Sequence, residues 1–64
     1  MSPKARQVLE EQLVRLHTFL DWVERRMVAS TDPTLRLYYE QEAQQANRSL
    51  RGLSALLAED SNER

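Results

Sequence analysis

The sequence predicts an all-α fold, an antiparallel two-helix hairpin with coiled-coil-like packing, completed by a partner chain or by self-association. Three observations predict it. Apolar residues alternate steps of four and three in two runs: Leu9, Leu13, Leu16, Leu20, Val23 and Met27, then Tyr39, Ala43, Ala46, Leu50, Leu53 and Leu57. A short Ser30-Thr31-Asp32-Pro33 break separates the runs, and so short a connection forces antiparallel neighbours. Finally, one side of the shared seam is apolar and the other polar, and two helices offer no third layer to cover the apolar side.

Each element has a local cause. Ser2 followed by Pro3 is a helix start, because serine caps free amides and proline suits the first helical position. The first helix is expected over about 3–29 and the loop over about 30–32. Asp32-Pro33 repeats the start signal, with Thr31 as a competing cap, and the second helix is expected over about 33–59. Residues 60–64 are polar and read as a frayed tail. No linker, internal repeat or low-complexity tract divides the chain, so 1–64 is a single domain.

Heptad letters sort the surface. With Leu13, Leu20 and Met27 at a in the first helix and Ala43, Leu50 and Leu57 at a in the second, the g and c positions of both helices share one flank. That flank carries Val8, Phe19, Trp22, Leu35, Tyr38 and Leu56, with Ala5 and Ala29 and with Ser49 and Gly52 between them. The other flank carries Glu10, His17, Glu24, Glu40, Asn47 and Ser54. Ala43 and Ala46 are small and lie opposite the Leu16–Val23 stretch, which lets the helices approach closely. Gly52 costs about 1 kcal/mol against alanine inside a helix. On this flank it reads as a point of close approach for a partner helix, or as a tolerated weak spot.

Composition narrows the function classes. A chain of 64 residues buries only about 60% of its unfolded surface, so its stability is marginal. Small folds are usually held by disulfides, a metal or oligomerisation. With no cysteine and one histidine, oligomerisation is the remaining device, beside idealised packing. Nine basic and ten acidic residues give a net charge of −1, which exerts no general pull on nucleic acid or anionic lipid. No apolar run suits a membrane span, and Met1-Ser2-Pro3-Lys4-Ala5-Arg6 leads into no secretory-type apolar core, so a cytoplasmic location is expected.

No catalytic residue, metal site or cofactor is expected, because catalysis needs groups converging in a pocket and a hairpin has no concavity. His17, four residues from Asp21, reads as a solvated surface histidine. Glu10, Glu11, Asp21 and Glu24 interleave with Arg6, Arg15, Arg25 and Arg26 as a salt-bridged helix face. Arg15, Arg26, Arg48 and Arg51 read as ordinary surface arginines before phosphate contacts. Asn47-Arg48-Ser49 matches the glycosylation triplet by chance, lying mid-helix. Phe19 and Trp22 admit two readings: partner contacts, or core-edge residues covered by Arg15 and Arg26.

The second helix resembles the small needle-chaperone subunits of bacterial type III secretion systems, the YscE, PscE and AscE group. The resemblance rests on Asp32-Pro33, Tyr38 and Tyr39, the stretch Gln41-Glu42-Ala43-Gln44-Gln45-Ala46, and Leu50, Leu53, Leu56 and Leu57 before Glu59-Asp60. It covers about half the chain; the first helix matches in length and amphipathicity alone. The resemblance implies a non-enzymatic, cytoplasmic co-chaperone. It would bind a tetratricopeptide-like chaperone and, through it, the needle subunit, keeping that subunit from polymerising early. It carries over no exact contact residue, so the candidates remain Val8, Phe19, Trp22, Leu35, Tyr38 and Leu56. The alternative is a homodimeric four-helix bundle that binds RNA, with the architecture of the plasmid-copy-number protein Rop. A homodimer is also expected of the lone co-chaperone, through the same flank.

Overall fold

A computed structural model describes residues 1–62. Two helices, α1 (Pro3–Ala29) and α2 (Pro33–Asn62), pack against each other as an antiparallel hairpin 49 Å long. At about 1.5 Å per residue, helices of 27 and 30 residues account for that length.

Local chemistry starts and stops both helices. The Ser2 hydroxyl accepts a hydrogen bond from the Ala5 amide at 3.1 Å, with Pro3 in the first helical position. At α2 the Asp32 carboxylate accepts from the Thr34 amide at 2.9 Å, so the aspartate is the cap and Thr31 is not. Between them, Ser30 leaves helical geometry with ψ near 132°, while its amide still donates to the Arg26 carbonyl. That extended residue is what lets three residues reverse the chain.

The seam follows the heptad pattern. Leu20, Val23, Ala43, Ala46 and Leu50 are buried, and Leu13, Leu16, Met27 and Tyr39 pack against them. Val23 is fully enclosed. The two alanines put small side chains where the large residues of α1 enter, which keeps the helices close and the seam dense.

The structure corrects the expected end of the second helix. Helix α2 continues through Asn62, three residues beyond the expected boundary at Glu59, so Asp60 and Ser61 are helical and not frayed. Glu63 and Arg64, the rest of the expected tail, lie outside the described residues. The reason is a clamp at the open end of the hairpin. The Asp60 carboxylate receives the N-terminal ammonium at 3.1 Å and the Arg6 guanidinium at 2.8 Å. Arg6 also reaches the Ser61 hydroxyl at 3.4 Å and Glu10 at 3.0 Å. Arg6 and Asp60 continue the heptad one step past the apolar seam, so a charged pair ends the core where water reaches it.

This clamp is acid-sensitive. The hydrogen bond from the N-terminal ammonium, and then that from Arg6, hold the Asp60 carboxyl below its ordinary value. A lowered carboxyl pKa stabilises the folded state above the ordinary carboxylate range and is lost as pH falls through the lowered value. Asp60→Asn should therefore be less stable than the parent at neutral pH and should lose less stability on acidification. Thermal melts of both chains from pH 7 down to pH 2 check this. Parallel melting curves across that range would show that the clamp contributes nothing.

Candidate functional site

The six residues singled out by sequence, Val8, Phe19, Trp22, Leu35, Tyr38 and Leu56, are all exposed, between 37% for Phe19 and 55% for Tyr38. Heptad geometry puts them on one flank, because positions g and c of an antiparallel pair lie on the same side. The structure brings Phe19, Trp22 and Tyr38 together and places Leu56 apart from them. Phe19 and Trp22 have ring centroids 6.2 Å apart, and Trp22 meets Tyr39 edge-on at 6.0 Å. Tyr39 in turn contacts Tyr38 at 5.6 Å. All four aromatic residues therefore form one chain across both helices near the loop, anchored in the seam through Tyr39.

Leu56 lies toward the open end, where it lines a shallow open groove with Gln12, Leu16, Ser49, Gly52 and Leu53. Val8 and Leu35 belong to neither the aromatic chain nor the groove lining. They sit toward the two ends of the flank, where α1 and α2 carry it outward.

The arginine cover weighed for the aromatics is present in part. The Arg26 guanidinium lies 5.3 Å from the centre of the Trp22 ring, a cation–π contact. Even so, Trp22 remains 47% exposed. The loop-end aromatics are thus pre-positioned by neighbours without being covered by them. Aromatic side chains held in place and left wet mark contact surfaces, since burying each is worth roughly 1.5–3 kcal/mol.

Gly52 has no reason inside the hairpin. A Cβ at this position would meet nothing within 4 Å, and its backbone is ordinary right-handed helix. Gly52→Ala should consequently stabilise the isolated chain by about 0.5–1 kcal/mol through the unfolded state's lost freedom. Urea titration followed by far-UV circular dichroism reads this directly, and a destabilised variant would reveal an intrachain contact at Gly52.

The opposite flank is polar. His17 is exposed, and α1 carries the surface ion pairs Arg6–Glu10 and Asp21–Arg25. Among the described residues no group of three histidine, cysteine, aspartate or glutamate side chains could hold a metal ion. No helix among them is long and apolar enough to cross a membrane. Val14, Val28 and Leu37 are exposed on the outer faces, away from the apolar flank, as scattered single residues of the kind any surface carries.

The molecule's surface is large for its mass. It exposes 5205 Å² at 7.5 kDa, whereas a folded monomer of that mass exposes about 4,200 Å². The elongated shape, 49 × 15 × 12 Å, places the surface above that of a rounder fold.

Sequence reasoning missed the Arg6–Asp60–N-terminus clamp and the groove around Gly52. The clamp was within reach of the heptad pattern, carried one step beyond Leu9 and Leu57. The groove was not, because it depends on which residues of the two helices come to lie side by side around Gly52. Comparison with known proteins returned no matching family model, no matching curated protein and no matching solved structure.

Proposed function

We propose that this chain is a non-enzymatic docking subunit whose apolar flank completes and stabilises a helical partner. One observation carries the reading: a pre-positioned aromatic chain and an apolar groove lie exposed together on one side of a hairpin too thin to cover them. A surface that binds only the folded partner stabilises that fold by mass action. The charge balance supports apolar docking over phosphate recognition as the main source of affinity.

The resemblance of the second helix to type III secretion needle-chaperone subunits supports a finer proposal. The partner is a tetratricopeptide-like chaperone in the bacterial cytoplasm, whose paired helices present concave apolar surfaces suited to a helical edge. Through that chaperone the chain keeps the needle subunit soluble and unpolymerised. The test is co-production of the tagged chain with a type III tetratricopeptide-like chaperone and its needle subunit from the same cell. The expected result is a co-purifying complex of all three with the needle subunit monomeric. Chaperone and needle subunit equally soluble without this chain, and no complex with it, would overturn the proposal.

A further inference from the structure

We propose that Glu42 makes the apolar flank selective for a partner helix that carries an arginine within its apolar stripe. The inference rests on the docking reading above and names what the docked helix must present.

Two acidic side chains among the described residues are half-buried, Asp60 and Glu42. Their surroundings differ. Asp60 receives two cations in the clamp, the N-terminal ammonium at 3.1 Å and Arg6 at 2.8 Å. Glu42 forms no ion pair among the described residues, and its carboxylate accepts no side-chain hydrogen bond there. It has lost part of its water without gaining a donor in exchange.

Heptad geometry puts this carboxylate on the apolar flank. Glu42 precedes Ala43 as Phe19 precedes Leu20, so both are g residues, on the same side of the seam. Trp22 meets Tyr39 edge-on at 6.0 Å. One turn from that contact toward the open end lie Phe19 on α1 and Glu42 on α2. Tyr38, four residues before Glu42, stands on the same face of α2. Ser49, two turns beyond Glu42, lines the groove around Gly52. Glu42 therefore lies between the aromatic chain and the groove. Arg26, the cation of this end of the flank, is held over the Trp22 ring, 5.3 Å from its centre, and is not paired with Glu42.

A helix that covers the flank completes the desolvation of Glu42. A charge left unpaired inside an interface is strongly unfavourable, whereas a paired and hydrogen-bonded one is tolerated. The covering helix has to bring a cation. Arginine suits the place better than lysine, because a planar guanidinium binds a carboxylate through two hydrogen bonds and also lies against an aromatic face. Arg26 over Trp22 already makes the second kind of contact within the hairpin. Apolar contacts alone tolerate sliding along the flank. A single carboxylate fixes the register and rejects a helix with an acidic residue at that point.

Three synthetic helical peptides of about 20 residues, with leucines at heptad positions a and d, serve as probes. They differ at one central g position, which holds arginine, lysine or glutamate. Calorimetric titration into the full chain measures affinity, and the emission of Trp22, the only tryptophan, reports contact with the flank. The arginine peptide should bind at least about tenfold more tightly than the glutamate peptide, with lysine between them. Glu42→Gln should abolish this preference and Glu42→Arg reverse it, both retaining helical circular dichroism. Glu24→Gln, which removes the same charge from the polar flank, should leave it unchanged. Equal binding of the three peptides by the parent, or a preference that Glu24→Gln and Glu42→Gln alter alike, overturns the role of Glu42 alone and leaves apolar docking standing. Lysine bound as tightly as arginine overturns the choice of arginine. No binding of any peptide, or a dimer of the parent that excludes all three, overturns this proposal together with the docking of a foreign helix.

Discussion

Leu20→Ala is expected to lower the stability of the chain by about 2–5 kcal/mol. Leu20 is buried at the centre of the seam with Val23, Ala43, Ala46 and Leu50, at a point where the facing alanines leave no large side chain to fill the gap. The helices would have to move together to close the cavity, and the neighbouring leucines already set their separation. Single domains carry about 0.05–0.15 kcal/mol per residue, so for a chain this short the loss is comparable with the whole. The isolated variant should be largely unfolded at room temperature. Urea titration followed by far-UV circular dichroism measures it, with Val14→Ala on the exposed outer face as the reference. An unchanged midpoint for Leu20→Ala would mean that the seam does not hold the hairpin together.

Replacing Phe19 and Trp22 together by serine should do the opposite. Both side chains are more than a third exposed, so the hairpin should keep its helix content, losing the contacts of Trp22 with Tyr39 and Arg26. Binding is where the change should appear. On the proposed docking role these two are interface anchors, whose truncation costs about 2 kcal/mol or more each, so affinity for the proposed chaperone partner should fall by at least about a hundredfold. Calorimetric titration against the purified partner measures it, with Glu24→Ala on the polar flank as the reference. Equal affinity for the double variant and the parent would remove this flank from the docking reading. The paired outcome, stability in the seam and binding on the flank, separates the two apolar surfaces of the molecule.

Much of this division was legible in the residues. The twelve heptad positions from Leu9 to Leu57 are the buried or half-buried apolar residues of the structure, because a four-three spacing brings them to one stripe however the rest is arranged. Ser2-Pro3 and Asp32-Pro33 start the helices because capping depends on neighbours two or three residues away. The six candidate residues of the apolar flank stay exposed for an equally simple reason: two helices present one shared seam, and positions outside it have nothing to pack against.

The remainder depended on contacts between residues far apart in the chain. The expected fraying at Asp60 failed because Arg6 and the N-terminal ammonium, more than fifty residues away in sequence, satisfy its carboxylate and extend the helix. The choice of Asp32 over Thr31 as the cap rested on a single hydrogen bond. Phe19, Trp22, Tyr39 and Tyr38 became one continuous chain of rings, and Gly52 the open point of a groove, because of the distance and register at which the two helices meet. The order of residues thus determined by itself which stripe is buried and where each helix begins, since both are set over a few helical turns. Tertiary structure alone decided the clamp at the open end and the relief of the flank, since both arise from side chains that share no turn of helix and meet only once the hairpin has closed.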